Sequence, residues 1–227
     1  GIGMATLVSY CLDSQYDVPY YDLSIQDTIT LFIPSGRLLD ENTLRWLNSF
    51  KYYIEERLKK KMTNEHERVL SYLFKSETLN KQGKFTILLS QSNNHAMVLH
   101  ELEEAGIIIR SPISLEYQNV YILEKELLNI NLIPEIRNTL GSENTLLTDD
   151  EERILNIIYR YNKYNKQSVK PSIITPEFYY DKYGKNIDPT KYESLGRKVR
   201  SICNVLLKRN ILVKNQDKTY RVVSSQI

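Results

Sequence analysis

Arg197, Lys198, Arg200, Ser201, Asn204 and Lys208 fall within twelve consecutive positions near the end of the 227-residue chain. At 100° per residue on a helix, Arg197, Arg200, Ser201, Asn204 and Lys208 share one side. Lys198 stands at the flank, and Leu195, Val199, Ile202 and Leu206 form an apolar stripe opposite. Arg and Asn carry paired donors and acceptors that match guanine and adenine edges, whereas Lys and Ser suit phosphate oxygens. That is the chemistry of a face that enters a duplex major groove. Lys214, Lys218 and Arg221, a few residues on, could reach neighbouring phosphates.

No catalytic constellation competes with this reading. The sequence contains no G-x-S-x-G, H-E-x-x-H, C-x-x-C or phosphate-loop pattern. Its carboxylates gather at helix starts, where capping accounts for them. His95 and His100 stand about 140° apart on a helix and share no metal-ligating face, so they read as surface histidines. Cys11 and Cys203 lack Cys or His partners at ligand spacing and read as apolar fillers. The tyrosines Tyr159, Tyr161, Tyr164, Tyr179, Tyr180 and Tyr183 have rings that can stack bases, but core and rim packing is the reading for them. No enzymatic activity, cofactor or metal is expected.

The elements that must position the basic face follow from periodicity. Thr148-Asp-Asp-Glu-Glu152 is an acidic helix start before Ile154, Leu155, Ile157 and Ile158. Ile174-Thr-Pro-Glu177 predicts a second helix and Asp188-Pro-Thr190 a third, running to Arg209. Asn210 stands at its stop, and Ile211–Val213 and Thr219–Val223 predict a short hairpin around Asn215-Gln-Asp217. Upstream, Thr63-Asn-Glu-His-Glu67 starts a helix carrying Val69, Leu70, Leu73 and Phe74. Phe85–Leu89 follows as a short helical piece, and Ser92 opens a helix with Val98, Leu99 and Leu102 inward and Gly106 as its stop. Ile107–Arg110 and Asn119–Leu123, joined by Ser111-Pro-Ile-Ser-Leu-Glu116, predict another hairpin. Helix, short helix, helix, hairpin is the order of a winged helix, met twice. The first segment has a helix from Met4 to Leu12, a strand with Ile29, Leu31 and Ile33 on one side, and a helix carrying Leu44, Leu47 and Phe50. One helix and one or two strands cannot close a core alone, so it must pack on something else or be the remnant of a larger domain.

The expected fold class is therefore α+β. Residues 1–61 form an N-terminal α/β piece, 62–126 and 148–227 form tandem winged-helix (helix-turn-helix) modules, and 127–147 form a linker. Dividing the charge along these boundaries separates two characters that the total of +2 conceals. Residues 1–61 carry 7 Lys+Arg against 8 Asp+Glu, residues 62–147 carry 7 against 11, and residues 148–227 carry 16 against 9. The last module is thus +7, the electrostatic footprint of a polyanion partner. The middle module is acidic, with Asn93, Asn94, Ala96, His100, Glu103 and Glu104 on the outer face of its third helix. It is expected to be a spacer or a protein contact, with homo-oligomerisation through it as one partner expectation. At 41% hydrophobic and 26% charged, with 8 Gly and 7 Pro, the composition is that of a folded chain. With no membrane-length apolar run and no signal-peptide layout, the expected address is the cytoplasm, with no membrane partner.

The opening segment also carries a family likeness. Gly1-Ile-Gly-Met4 leading to Tyr10-Cys11, then Pro19-Tyr-Tyr-Asp-Leu-Ser24, Thr28-Ile-Thr-Leu31 and Gly36-Arg-Leu-Leu-Asp-Glu-Asn42, resembles the end of the ATP-binding domain in bacterial AlbA/Schlafen-type transcriptional regulators. Those proteins carry a divergent, RecG-like C-terminal ATP-binding domain ahead of winged helices. The resemblance implies that the chain is the C-terminal region of such a regulator, with a Gly1-Ile-Gly3 turn that would approach nucleotide phosphates. The family's metal-binding and adenine-binding motifs are missing, so the chain is expected neither to bind nor to hydrolyse ATP by itself. The leading expectation is a DNA-binding regulatory region that contacts double-stranded DNA through its basic C-terminal winged helix. The alternative is a protein-interaction or oligomerisation region of an ATP-dependent protein.

Overall fold

A computed structural model of the chain describes residues 2–23, 25–87, 89, 95–112, 119–140, 146–184 and 187–223. It divides into two units, Gly1–Leu128 and Asn129–Ile227, in a mixed α+β arrangement with small antiparallel sheets. In the first unit the elements run α1 (Ile2–Asp13), β1 (Tyr20–Asp22), β2 (Thr30–Phe32), α2 (Glu41–Leu58), α3 (Asn64–Lys81), β3 (Phe85–Thr86), α4 (Ala96–Glu104), β4 (Ile108–Arg110), β5 (Tyr121–Leu123) and α5 (Lys125–Leu128). Every residue from Val69 to Ser76 is buried, so α3 is enclosed over two full turns. It packs against α1, α2, α4, β3 and β5, and the N-terminal segment and the middle module share it as one core. Trp46 of α2 stacks on Phe74, ring centroids 4.4 Å apart, and donates its indole N–H to Leu127 O at 2.8 Å. Lys75 uses all three ammonium protons inside the unit, on Asp17 Oδ1, Asp40 Oδ2 and Arg37 O, each at 2.8 Å.

Two expectations for this unit change. Phe85–Thr86 is a strand and not the start of a short helix. It completes a sheet of order β2-β1-β3 by pairing with Tyr20 and Tyr21, and Asn80 Oδ1 accepts from the Thr86 backbone N–H and hydroxyl. An available strand edge outweighs a short run's weak helical preference. Gly3 lies inside α1 and not in a phosphate-approaching turn; Gly1 is outside the described residues. The alternation through Ile29, Leu31 and Ile33 does mark a strand, but Ile29 is 74% and Ile33 58% exposed, because period two reports backbone geometry and not what covers it. Ser92, Asn93, Asn94 and the loop residues 113–116 lie outside the described residues.

The second unit runs α6 (Ile133–Leu140), α7 (Asp149–Asn165), α8 (Pro171–Tyr183), a 3₁₀ turn (Pro189–Lys191), α9 (Tyr192–Lys208), β6 (Leu212–Lys214) and β7 (Tyr220–Val222). Within 127–147, α6 packs on α7, where Glu135 accepts from Tyr159 Oη at 2.7 Å and Lys163 Nζ at 2.9 Å. The second helix starts earlier than its Ile174 signal, with Pro171 at the first position and Pro176 in the interior. An interior proline leaves the carbonyl four residues back without its donor; here Tyr192 Oη donates to Ser172 O at 3.1 Å in its place.

The two units repeat one register. A shift of 104 residues carries Leu99, Leu102, Gly106 and Ile108 onto Cys203, Leu206, Asn210 and Leu212. Gly106 and Asn210 both turn left-handed, with φ of 64° and 54°. Ile107 N–H then donates to Leu102 O, and Ile211 N–H to Leu206 O, both at 2.9 Å. The hairpins pair alike, Arg110 with Tyr121 and Lys214 with Tyr220. In each, the tyrosine N–H donates to a residue shortly after a capped helix, Leu89 O after α3 at 3.1 Å or Val169 O after α7 at 2.8 Å. Both leading helices open on a capping box, Thr63 with His66 and Thr148 with Glu151.

Candidate nucleic-acid interface

The outer face is set by what α9 buries. Gly196, Val199, Cys203 and Leu206 are the buried residues, so the buried stripe is rotated by about 50° from Leu195, Val199, Ile202 and Leu206. Two small residues, Gly196 and Cys203, take the places against α7 and α8, while Leu195 and Ile202 move to the half-buried edge. Burial raises the Cys203 thiol to about 12, so it stays a neutral, apolar filler. Arg197, Arg200, Ser201, Asn204 and Lys208 all remain exposed on the outer side. Among the described residues, only Arg197 of these five has an ion pair, with Glu193 at 3.7 Å, both side chains largely in solvent.

Lys198 does not join them. Its Nζ lies 2.7 Å from Asp150 Oδ2, beside Lys182, which reaches Asp150 Oδ1 at 2.6 Å. Burial acts to raise the Asp150 pKa, but the hydrogen bonds and charges of Lys182 and Lys198 outweigh it and hold the carboxyl low. On the hairpin, Lys214 shares a face with Tyr220, while Arg221 pairs across with Val213 on the opposite face. Arg221 is half-buried and its Nε has no hydrogen-bond partner. Lys218 occupies the turn, exposed, at φ 63°. Burial raises the Tyr220 phenol pKa, and the nearby positive charge of Arg200 partly offsets this. The charge of Arg200 is therefore felt at the base of the hairpin.

Ion pairing sorts the cations of this unit. Arg137, Arg153, Arg160, Lys163, Lys182, Lys198 and Arg209 each pair with a carboxylate of α6, α7 or α8. Among the described residues Arg200, Lys208, Lys214 and Lys218 have no ion pair. The 104-residue shift places Ala96, Met97, His100 and Glu104 where the second unit has Arg200, Ser201, Asn204 and Lys208. Arg110, the counterpart of Lys214, is bound to Glu103 at 2.6 Å. The corresponding helix faces thus differ in charge, cationic on α9 and neutral to acidic on α4.

The aromatic and histidine expectations divide. Tyr159, Tyr161, Tyr164 and Tyr179 are buried and Tyr180 is half-buried, leaving Tyr183, at 50% exposure, open to solvent. His100 is exposed beside Glu104, but His95 is buried, its Nδ1 2.8 Å from Glu65 Oε1. Sequence reasoning passed over His66, which is buried and completes the Thr63 cap. Its Nδ1 accepts the Thr63 N–H at 3.2 Å, and its Nε2 faces Glu101 Oε2 at 2.9 Å. The T-x-x-H spacing was its only signal. Among the described residues no cluster of His, Cys, Asp or Glu is arranged to hold a metal, and no helix is long and apolar enough to cross a membrane. Compared with known proteins, the chain matches no family model, no curated protein and no solved structure.

Proposed function

We propose that the second unit is a winged-helix module that binds duplex DNA, with α9 in the major groove and the β6–β7 hairpin on the adjacent backbone. Arg197, Arg200 and Asn204 contact base edges; Ser201, Lys208, Lys214 and Lys218 contact phosphates. Lys198 and Arg221 take no direct part, since one is held by Asp150, which it shares with Lys182, and the other is half-buried on the far face of the hairpin. The observation that carries this reading is the sorting of charge. Seven cations pair with carboxylates of α6, α7 or α8, whereas among the described residues Arg200, Lys208, Lys214 and Lys218 have no ion pair and Arg197 has only the solvent-exposed Glu193 at 3.7 Å. The helix, bridge, helix, helix, hairpin order supports the winged-helix assignment. By the same register the first unit holds a related module whose outer face is neutral to acidic and unsuited to phosphate.

Fluorescence anisotropy with a labelled duplex tests this. Affinity should fall steeply between about 50 and 200 mM salt, with a log–log slope of about −4.5 for roughly five phosphate or base-edge cations. Lys208→Ala with Lys214→Ala should flatten the slope by about 2. Arg200→Ala should weaken a preferred site by about 1–3 kcal/mol and relax its sequence preference. Unchanged affinity in Arg197→Ala with Arg200→Ala would remove α9 from the interface. The acidic α4 face favours a second reading, a protein contact within an ATP-dependent assembly. No duplex affinity even at low salt would favour that one. The chain alone should show no ATP turnover.

A further inference from the structure

The apolar edge of the first unit bears on assembly. Strand β2 is one edge of the β2-β1-β3 sheet. Leu31 pairs with Tyr21 and Tyr21 with Phe85, so these three side chains project from one face. Ile29 and Ile33 flank β2 in phase with Leu31. Ile29, Ile33 and Phe85 are 74%, 58% and 55% exposed. Proteins ordinarily guard an edge strand with lysines, a proline, a bulge or a covering element. The run Thr28–Ile33 contains no charged residue and no proline, and a row of this kind is rarely left open on a monomer.

We infer that β2 is a self-association edge that pairs antiparallel with β2 of a second copy across a two-fold axis at Leu31. The sequence is self-complementary in that register. Ile29 falls opposite Ile33 of the second copy, Leu31 opposite Leu31, and Thr30 opposite Phe32, so every apolar side chain of one face meets an apolar neighbour. Two three-stranded sheets become one of six strands, with Phe85, Tyr21 and Leu31 continued by their symmetry mates. Charge selects the occupant. With no ionised group in Thr28–Ile33, two copies meet without like-charge repulsion, and a charged partner would find nothing to pair with. The outer face of α4, by contrast, would set Glu103 and Glu104 against themselves in a symmetric contact. A two-fold pairing of identical edges is the closed form such an interface takes.

Size-exclusion chromatography with light scattering over roughly 5–200 µM protein reads the result directly. The wild-type mass should rise towards twice 26.7 kDa with concentration. Ile29→Lys with Ile33→Lys places four lysines across the axis at positions already in solvent, and this variant should stay at 26.7 kDa throughout. Its Trp46 emission and melting midpoint should match those of dilute wild type, which shows the fold intact. Ile33→Lys alone carries the same test should the double variant misfold. A wild-type mass of 26.7 kDa at every concentration, or a dimeric lysine variant, would overturn the proposal. Neither readout involves DNA, so the two proposals can fail separately.

Discussion

Lys75 shows how much one side chain can organise. Its ammonium is nearly buried and satisfied by Asp17, Asp40 and Arg37 O, which fastens the turn before α2 to the centre of α3. Burial acts to raise the Asp40 pKa, but hydrogen bonds from Lys75 and Thr43 outweigh it and hold the carboxyl below its ordinary value. The sign follows: a depressed carboxylate contributes stability above its unfolded pKa, about 3.9, and loses it as pH falls through the folded value. Unfolding followed by Trp46, the single tryptophan, should therefore show the first unit weakening below about pH 4. Lys75→Met should cost about 1–3 kcal/mol at neutral pH, less than for a fully enclosed pair because both carboxylates are partly exposed, and should reduce that acid sensitivity. Cysteine reactivity checks a second residue. Cys203, with its thiol raised to about 12 by burial, and the buried Cys11 should both resist a thiol reagent at pH 8 and titrate only after denaturation.

At the scale of the element, α8 and α9 illustrate why helix limits were only partly legible. Pro176 marks a first turn in sequence, because an interior proline ordinarily ends a helix. The helix passes through it, and Tyr192, sixteen residues on, supplies a donor to the carbonyl that the proline orphans. Tyr192→Phe should remove that bond and cost about 0.5–1 kcal/mol, a fall of roughly 2–6 °C in the melting midpoint of the second unit by circular dichroism. The face of α9 was legible because five polar residues recur at helical spacing. The centre of its buried stripe was not, because hydropathy ranks Ile202 above Gly196 while close helix packing favours the smaller residue. A Cβ on Gly196 would meet Arg200 Nη1 at 3.7 Å and Thr175 Oγ1 at 3.9 Å, ordinary contact distances. Gly196→Ala should therefore stabilise α9 by about 0.5–1 kcal/mol through helix propensity.

At the scale of the whole molecule, the two units differ in the charge of their corresponding helix faces, α4 and α9. The prediction that belongs here is one of indifference: Met97→Ala with His100→Ala, on the α4 face that corresponds to Ser201 and Asn204, should leave duplex affinity unchanged within about two-fold. Both side chains are exposed, so the fold is not at stake. The near-neutral total of +2 is the sum of a net −5 over residues 1–147 and +7 over residues 148–227; of the positions equivalent to Arg200 and Lys208, the first unit fills one with Ala96 and the other with Glu104.

By itself the sequence determined the α+β class, the main helices and the two hairpins, the caps and stops at Thr63, Thr148, Gly106 and Asn210, and the polar face of α9. These are local properties, carried by residues within a few turns of one another. The tertiary structure decided which cations are available. Lys198 and Lys208 have the same chemistry and lie on one helix, yet Asp150, forty-eight positions before Lys198, pairs with the first, and among the described residues no carboxylate pairs with the second. It also decided that the first segment shares the core of α3, that Phe85–Thr86 joins a strand edge, and that β2 leaves its apolar face open. Each of these depends on contacts between residues distant in sequence, and local patterning cannot register them.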